Sequence, residues 1–417
     1  MGMTMSEKIL AAHAGLESVK PGDLVTCNLD YAAIHDMFFL VSGQGDLTRV
    51  SKVFDTNRVL IFLDHGVPSP TTQDADGAIK ARDFVSRHNL PYFYDVGKHG
   101  VIHQKIAEEG FTLPGKLIAA GDSHTCAAGA FNCAARGFGP ADMIYCICKG
   151  QNWYQVCETI KYDFYGELNE YVTAKDVFLY IAGVYGEVTN QNVEFGGPGI
   201  ANLTVPQRQS IATMCAEINA EFAIFPYDEV LEEYIKDRAK ESYEPVYPDE
   251  DAVYAEVRRI DLDKIEPYIS GPHYIPENCH PVAESEGIPI NQAILGSCSN
   301  GRLEDIALAA EMIKGKKVAD GVRFIVTPAT QEVYLNALKF GLFETLAEAG
   351  AVITNATCGS CYGGHMGLIG AGERCVSTTT RNFKGRMGSA DSEVLLAGPT
   401  TVVASAITGK ITDPRKL

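Results

Sequence analysis

Six short apolar or β-branched runs punctuate the chain: VLIFL (59–63), KLIAAG (116–121), NQAILG (291–296), VRFIVTP (322–328), AVIT (351–354) and CVSTTT (375–380). Each has the length of a buried strand. Between them, LEDIALAAEMIKG (303–315) and QEVYLNALKFGLFETLAEAG (331–350) space apolar residues three and four apart and end at Gly, as amphipathic helices do. Alternating strands and helices predict parallel sheets flanked by helices, an α/β fold. The charged, Tyr- and Pro-rich stretch 237–276 reads as a connection, with a second junction near 159–170. The terminal VLLAGPTTVVASAITG reads as a strand-end loop and a closing helix. No repeat of solenoid period is present.

The predicted strands end in a consistent way. VLIFL runs into Asp64-His65, KLIAAG into Asp122-Ser123-His124 and NQAILGS into Cys298. AVIT runs towards Cys358 and Cys361, and CVSTTT into Arg381, with Lys384 and Arg386 beyond. Open α/β sheets bind ligands outside the carboxyl ends of their strands. An isolated Asp-His pair is more often a surface loop than a catalytic dyad, and Lys384 and Arg386 read equally as solvated loop charges. Five such clusters at five strand ends point to a site.

Composition narrows what that site serves. The chain has 417 residues, 46% of them hydrophobic, enough for two or three domains. The division expected is 1–160, 161–270 with the charged linker, and 271–417. A net charge of −18 repels phosphate backbones and argues against nucleic acid. No run approaches the ~20 apolar residues of a membrane helix, and the start lacks a signal-peptide pattern, so a cytoplasmic protein is expected. MGMTMS fits the myristoylation pattern by letter, but a helix capped by Thr4 or Ser6 is the plainer reading.

Twelve cysteines are many for such a chain. Cys133, Cys146, Cys148, Cys157 and Cys215 sit in apolar runs and read as small core residues. Cys298, Cys358 and Cys361 sit instead among Gly and small polar residues. A structural zinc site wants four ligands, usually as two close pairs. A thioredoxin-like site explains C-x-x-C but leaves Cys298 over. Iron–sulfur clusters take cysteine thiolates, and three ligands on a cubane leave one iron open to act as a Lewis acid. His65, His103 and His124, beside Asp64 and Asp122, supply imidazole–carboxylate pairs. A charged imidazole can protonate a departing hydroxide. Arg381 and Arg386 suit bidentate capture of carboxylates. Together these point to dehydration and rehydration of a hydroxy-acid.

GDSHT (121–125), GSCSNGRLEDI (296–306), TNATCGSC and GERCVSTTTRNFKGRMG (372–388) resemble the aconitase superfamily, and within it the 3-isopropylmalate dehydratase large-subunit family. The likeness runs along nearly the whole chain. It implies three α/β/α domains around one [4Fe–4S] cluster per chain, ligated by Cys298, Cys358 and Cys361, with Cys375 not a ligand. It also implies that Asp64 and His65 serve the leaving hydroxyl, and that His103, Asp122 and His124 support them. Glu217 is the implied partner of His124, and Arg381 and Arg386 are implied to bind substrate. An iron-sensing RNA-binding relative and a zinc-binding structural protein are the readings from other classes.

The chain also departs from the family pattern. Thr213 and Thr379-Thr380 replace Asn and Ser-Asn, Gly66 stands where Asn or Gln is common, and HDMFFLV (35–41) replaces a smaller, more polar segment. Relatives of isopropylmalate, namely homocitrate, 2-methylmalate and 2,3-dimethylmalate, are therefore the alternative substrates. In the family the base is a serine on a separate swivelling domain. Only 29 residues follow Gly388, too few to hold such a domain, so a small subunit is expected to carry it and complete a heterodimer.

Overall fold

The structure, a computed structural model, describes residues 2–417 as a mixed α/β fold built on three largely parallel sheets. All six predicted strands are present, within three residues of the expected ends. The chain opens with the helix Met5–Ala14, capped by Thr4, whose hydroxyl accepts from Glu7 N while the Glu7 carboxylate accepts from Thr4 N.

The first sheet orders its five parallel strands Phe93–Tyr94, Val59–Phe62, Tyr31–His35, Leu117–Ala120, Ala134–Gly137. The chain builds outwards from Tyr31–His35 in one direction, then returns to Leu117–Ala120 and builds in the other. That reversal is a topological switch point, where loops from neighbouring strand ends part and leave a crevice.

The third sheet repeats the device. Its seven strands run Cys279–Pro281, Tyr268–Ser270, Glu393–Ala397, Arg374–Ser377, Gln292–Gly296, Arg323–Thr327, Val352–Ile353. The last five are parallel, and the first two add an antiparallel edge. The order reverses between Gln292–Gly296 and Arg374–Ser377. Cys298 leaves the first of these strands, and Thr378–Arg381 leave the second. Backbone bonds join the two crevices: Cys358 N donates to Asp64 O at 2.9 Å, and Thr357 Oγ1 donates to the same carbonyl at 2.8 Å.

Between them lies a four-stranded parallel sheet, Ala223–Ile224, Gln191–Gly196, Glu158–Tyr165, Glu256–Asp261. It corrects two expectations. The stretch 159–170 is not a junction: Thr159 to Tyr165 lie in a strand whose Ile160, Tyr162 and Phe164 are core residues. The connection 237–276 contains the strands Glu256–Asp261 and Tyr268–Ser270. Arg258 and Arg259 disguised the first, because their guanidinium groups lie over the rings of Tyr162, Tyr185 and Tyr165. The helix expected over 331–350 is two, Gln331–Lys339 and Leu342–Glu348, broken where Gly341 takes φ 69°. Near the end, residues 393–397 form a strand rather than a loop, followed by the helix Pro399–Thr408.

Candidate active site

Three strand ends of the first sheet deliver a row of imidazoles and carboxylates. Tyr31–His35 ends in His35-Asp36, Val59–Phe62 leads to Asp64-His65, and Leu117–Ala120 leads to Asp122 and His124. His65 Nδ1 bonds Asp64, whose other oxygen accepts from Ile102 N at 3.0 Å. Asp36 accepts from the backbone N–H of His65 (3.1 Å) and of Gly66 (2.7 Å), which fixes the loop. His65 Nε2 faces Asp122 Oδ2 at 3.8 Å. Asp122 Oδ1 bonds His103 Nε2 and His124 N, each at 2.9 Å. His124 Nε2 bonds Glu217 Oε1 at 2.7 Å, and Arg381 Nε donates to the same oxygen at 2.8 Å.

The row is therefore one alternating network from Asp64 to Arg381, with Asp64 and the three imidazoles buried and Asp122, Glu217 and Arg381 partly exposed. Burial alone would lower the pKa of His65, but Asp64, Asp36 and Asp122 outweigh it and push it up to about 9. His124 is also raised, since Asp122 and Glu217 overcome its desolvation. Burial works to raise Asp122 and Glu217, yet His103 and His124 hold Asp122 well below the usual range, and His124 and Arg381 hold Glu217 down. At neutral pH His65 thus carries a proton, and the surrounding charges favour the ionised forms of Asp122 and Glu217.

The cysteines come from the third sheet. Cys298 follows Ser297, which adopts φ 72°, a conformation that ordinary residues avoid and that turns the loop sharply off its strand. Arg302 clamps this loop from beneath, donating to Cys298 O at 2.7 Å and to Ser299 O, while Gln104 and Gln209 accept from its Nε. Cys358 and Cys361 bracket Gly359, whose φ of 55° closes the C-x-x-C turn. Hydrogen bonding from Cys358 holds the Cys361 thiol well below its usual range, against its burial, with Arg386 and Thr380 adding to the effect. Thr380 Oγ1 lies 3.5 Å from Cys361 Sγ, and Arg386 Nε donates to Cys361 O at 2.6 Å.

All eleven residues singled out in the sequence lie in or beside these two crevices. Cys375 lies within the strand Arg374–Ser377, its thiol bonding Val376 O. Sequence reasoning missed His35, Lys175 and Arg302. His35 stacks on His65 with ring centroids 4.2 Å apart and bonds Gly121 O at 3.0 Å. Its signal was legible: YAAI runs into His-Asp just as VLIFL runs into Asp-His. The unusual Phe38 packs edge-on to His35, and a Cβ on Gly121 would stand 2.4 Å from the Phe38 ring. A side chain there would displace the Phe38 ring. Thr213 turns its hydroxyl back to Gln209 O at 2.6 Å.

Comparison with known proteins places this geometry. The pattern of the aconitase family (aconitate hydratase) matches residues 49–288 and 277–409. The chain belongs to the aconitase family. Among its relatives, the 3-isopropylmalate dehydratase large subunit of Mycolicibacterium smegmatis is 49% identical, over 100% of this chain and 98% of that one. The 3-isopropylmalate dehydratase large subunit 1 of Methanopyrus kandleri is 43% identical, over 100% and 99%. The crystal structure of Thermococcus kodakaraensis aconitase X in its holo-form shares the fold at 11% identity, with a TM-score of 0.50 over 93% of this chain and 92% of that one. No described helix of this aconitase-family chain is long and apolar enough to cross a membrane.

Proposed function

We propose that the chain is the large subunit of a 3-isopropylmalate dehydratase, a hydro-lyase that interconverts 2- and 3-isopropylmalate in leucine biosynthesis. The observation that carries this reading is the meeting of three thiols with a charged His65 at joined switch points, in a chain matched along its length by such large subunits.

The donor set fits an iron–sulfur cluster. Cys298, Cys358 and Cys361 come from two loops, and Cys358 hydrogen-bonds to Cys361. Three thiols with no fourth protein ligand among them suit a cluster that cysteine thiolates hold at three corners. When bound, a [4Fe–4S] cluster supplies an electrophilic iron at the corner no cysteine holds. The rest is the work of this chain's side chains. His65, charged and aligned by Asp64, holds a proton at Nε2 for a departing hydroxide. His103 and His124 keep Asp122 ionised beside that nitrogen. Arg381, steadied by Glu217, and Arg386 bind the substrate carboxylates. The base that takes the carbon-bound proton comes from a small subunit bearing a serine on a swivelling domain.

Phe38, in a segment where the family has smaller residues, packs on His35 and favours a second reading, in which the substrate branch is a methyl group, as in 2-methylmalate. Anaerobically loaded chain, combined with its small subunit, is expected to turn over 2-isopropylmalate. A higher kcat/KM for 2-methylmalate selects the second reading, and turnover of neither overturns both.

A further inference from the structure

Lys175 is fully buried at the second position of the helix Ala174–Tyr185. Two features make an ammonium there unfavourable. Burial strips its water, and the helix N-terminus carries a partial positive charge of its own. A buried charge is ordinarily paired with an opposite one. Yet among the described residues the groups that bond Nζ are all neutral: Thr379 O at 2.9 Å, Met214 Sδ at 3.0 Å, and Thr378 O and Ser299 Oγ at 3.3 Å. The adjacent carboxylate of Asp176 is engaged by Thr173 and by Tyr268 N.

Burial pushes the Lys175 pKa down to about 8, and among the influences that oppose it Cys298 and Cys361 come first, followed by Glu217. Three of its four contacts lie on the Cys298 loop or on the segment that leaves the strand Arg374–Ser377. Ser299 follows Cys298, and Thr379 precedes the Thr380 that touches Cys361. The loop leaves Gln292–Gly296 and the segment leaves Arg374–Ser377, the two strands between which the order reverses.

We propose that Lys175 is a positioning residue, the fixed counter-cation of the three-thiolate site, whose charge is balanced only when an anionic iron–sulfur cluster is bound. This rests on the cluster reading above. Three thiolates around a [4Fe–4S]²⁺ core leave a net negative charge that a buried cation stabilises, and it stabilises the one-electron-reduced form more. The lysine therefore raises the cluster's reduction potential, and in the empty chain it is a liability.

The full-length chain, Lys175→Met and Lys175→Gln are to be compared in two ways. Thermal unfolding of the cluster-free proteins should show Lys175→Met at least as stable as wild type, because a buried charge has been replaced by an apolar chain of similar length. After anaerobic reconstitution with iron and sulfide, a titration followed by electron paramagnetic resonance reads the midpoint potential. Both variants should shift the oxidised-to-reduced ratio about tenfold towards the oxidised form, about 59 mV for one electron. A cluster-free variant that folds but retains no cluster also supports the proposal. Unchanged potentials in both variants overturn the counter-cation, as does a cluster-free state that neither variant can fold. A wild-type chain that takes up no cluster overturns the reading of the site, and the counter-cation with it.

Discussion

His65 carries the largest share of the electrostatic argument, because three carboxylates hold a proton on it well above the pH at which a free imidazole loses one. General acid catalysis of this kind is worth ~10²–10⁴ in rate. His65→Asn is therefore expected to lower kcat by about that factor with iron content unchanged. Wild-type activity in the variant would move the role to His103. The same shift links stability to pH. The folded-state pKa of about 9 lies above the ordinary 6.5, so this contribution is complete below about pH 6.5 and is lost as pH rises through 9. It amounts to at most about 3 kcal/mol. Melting of the cluster-free chain between pH 6 and 10 should show this loss, and His65→Asn should flatten it. An equally steep profile in the variant would assign the effect to other groups.

At the scale of elements, strand ends decide which residues meet. The cysteine loops are held by backbone geometry at Ser297 and Gly359 and by Arg302, whereas Cys375 is part of a strand. Replacing Cys298, Cys358 or Cys361 with Ser should empty the site, while Cys375→Ser should retain iron. Analysis of bound iron and sulfide after anaerobic reconstitution checks this, and the reverse pattern sinks the ligand assignment. These loops also show what was legible beforehand. VLIFL, NQAILG and CVSTTT announce themselves because their strands are buried on both faces and so read as continuous apolar runs. The strand Glu158–Tyr165 alternates buried with partly exposed positions, and Glu256–Asp261 carries exposed charges, so both passed for connections. Asp64-His65 and the cysteines were readable because chemistry-bearing residues stood beside strand signals. Lys175 was not, since a lysine in the first turn of a helix ordinarily points to water, and only the packing of three segments around it reveals that it does not.

For the whole molecule, the question is which group removes the carbon-bound proton. Asp64, Asp122 and Glu217 are candidates by position, but each is bonded to an imidazole. Asp122 and Glu217 are moreover held below their ordinary pKa values, which makes them weak bases. On the proposed reading the two switch points thus gather a charged imidazole, two arginines and three thiols, and leave the base unsupplied. A second polypeptide of about one domain, ~150–200 residues, is expected to dock over this face and bring the base with it. The purified chain should then bind iron and sulfide yet show negligible turnover, and adding the small subunit should restore activity while shifting the chain to a larger species in size-exclusion chromatography. Full hydro-lyase activity from this polypeptide alone would place the base within its own 417 residues, and Asp122 would be the first group to test.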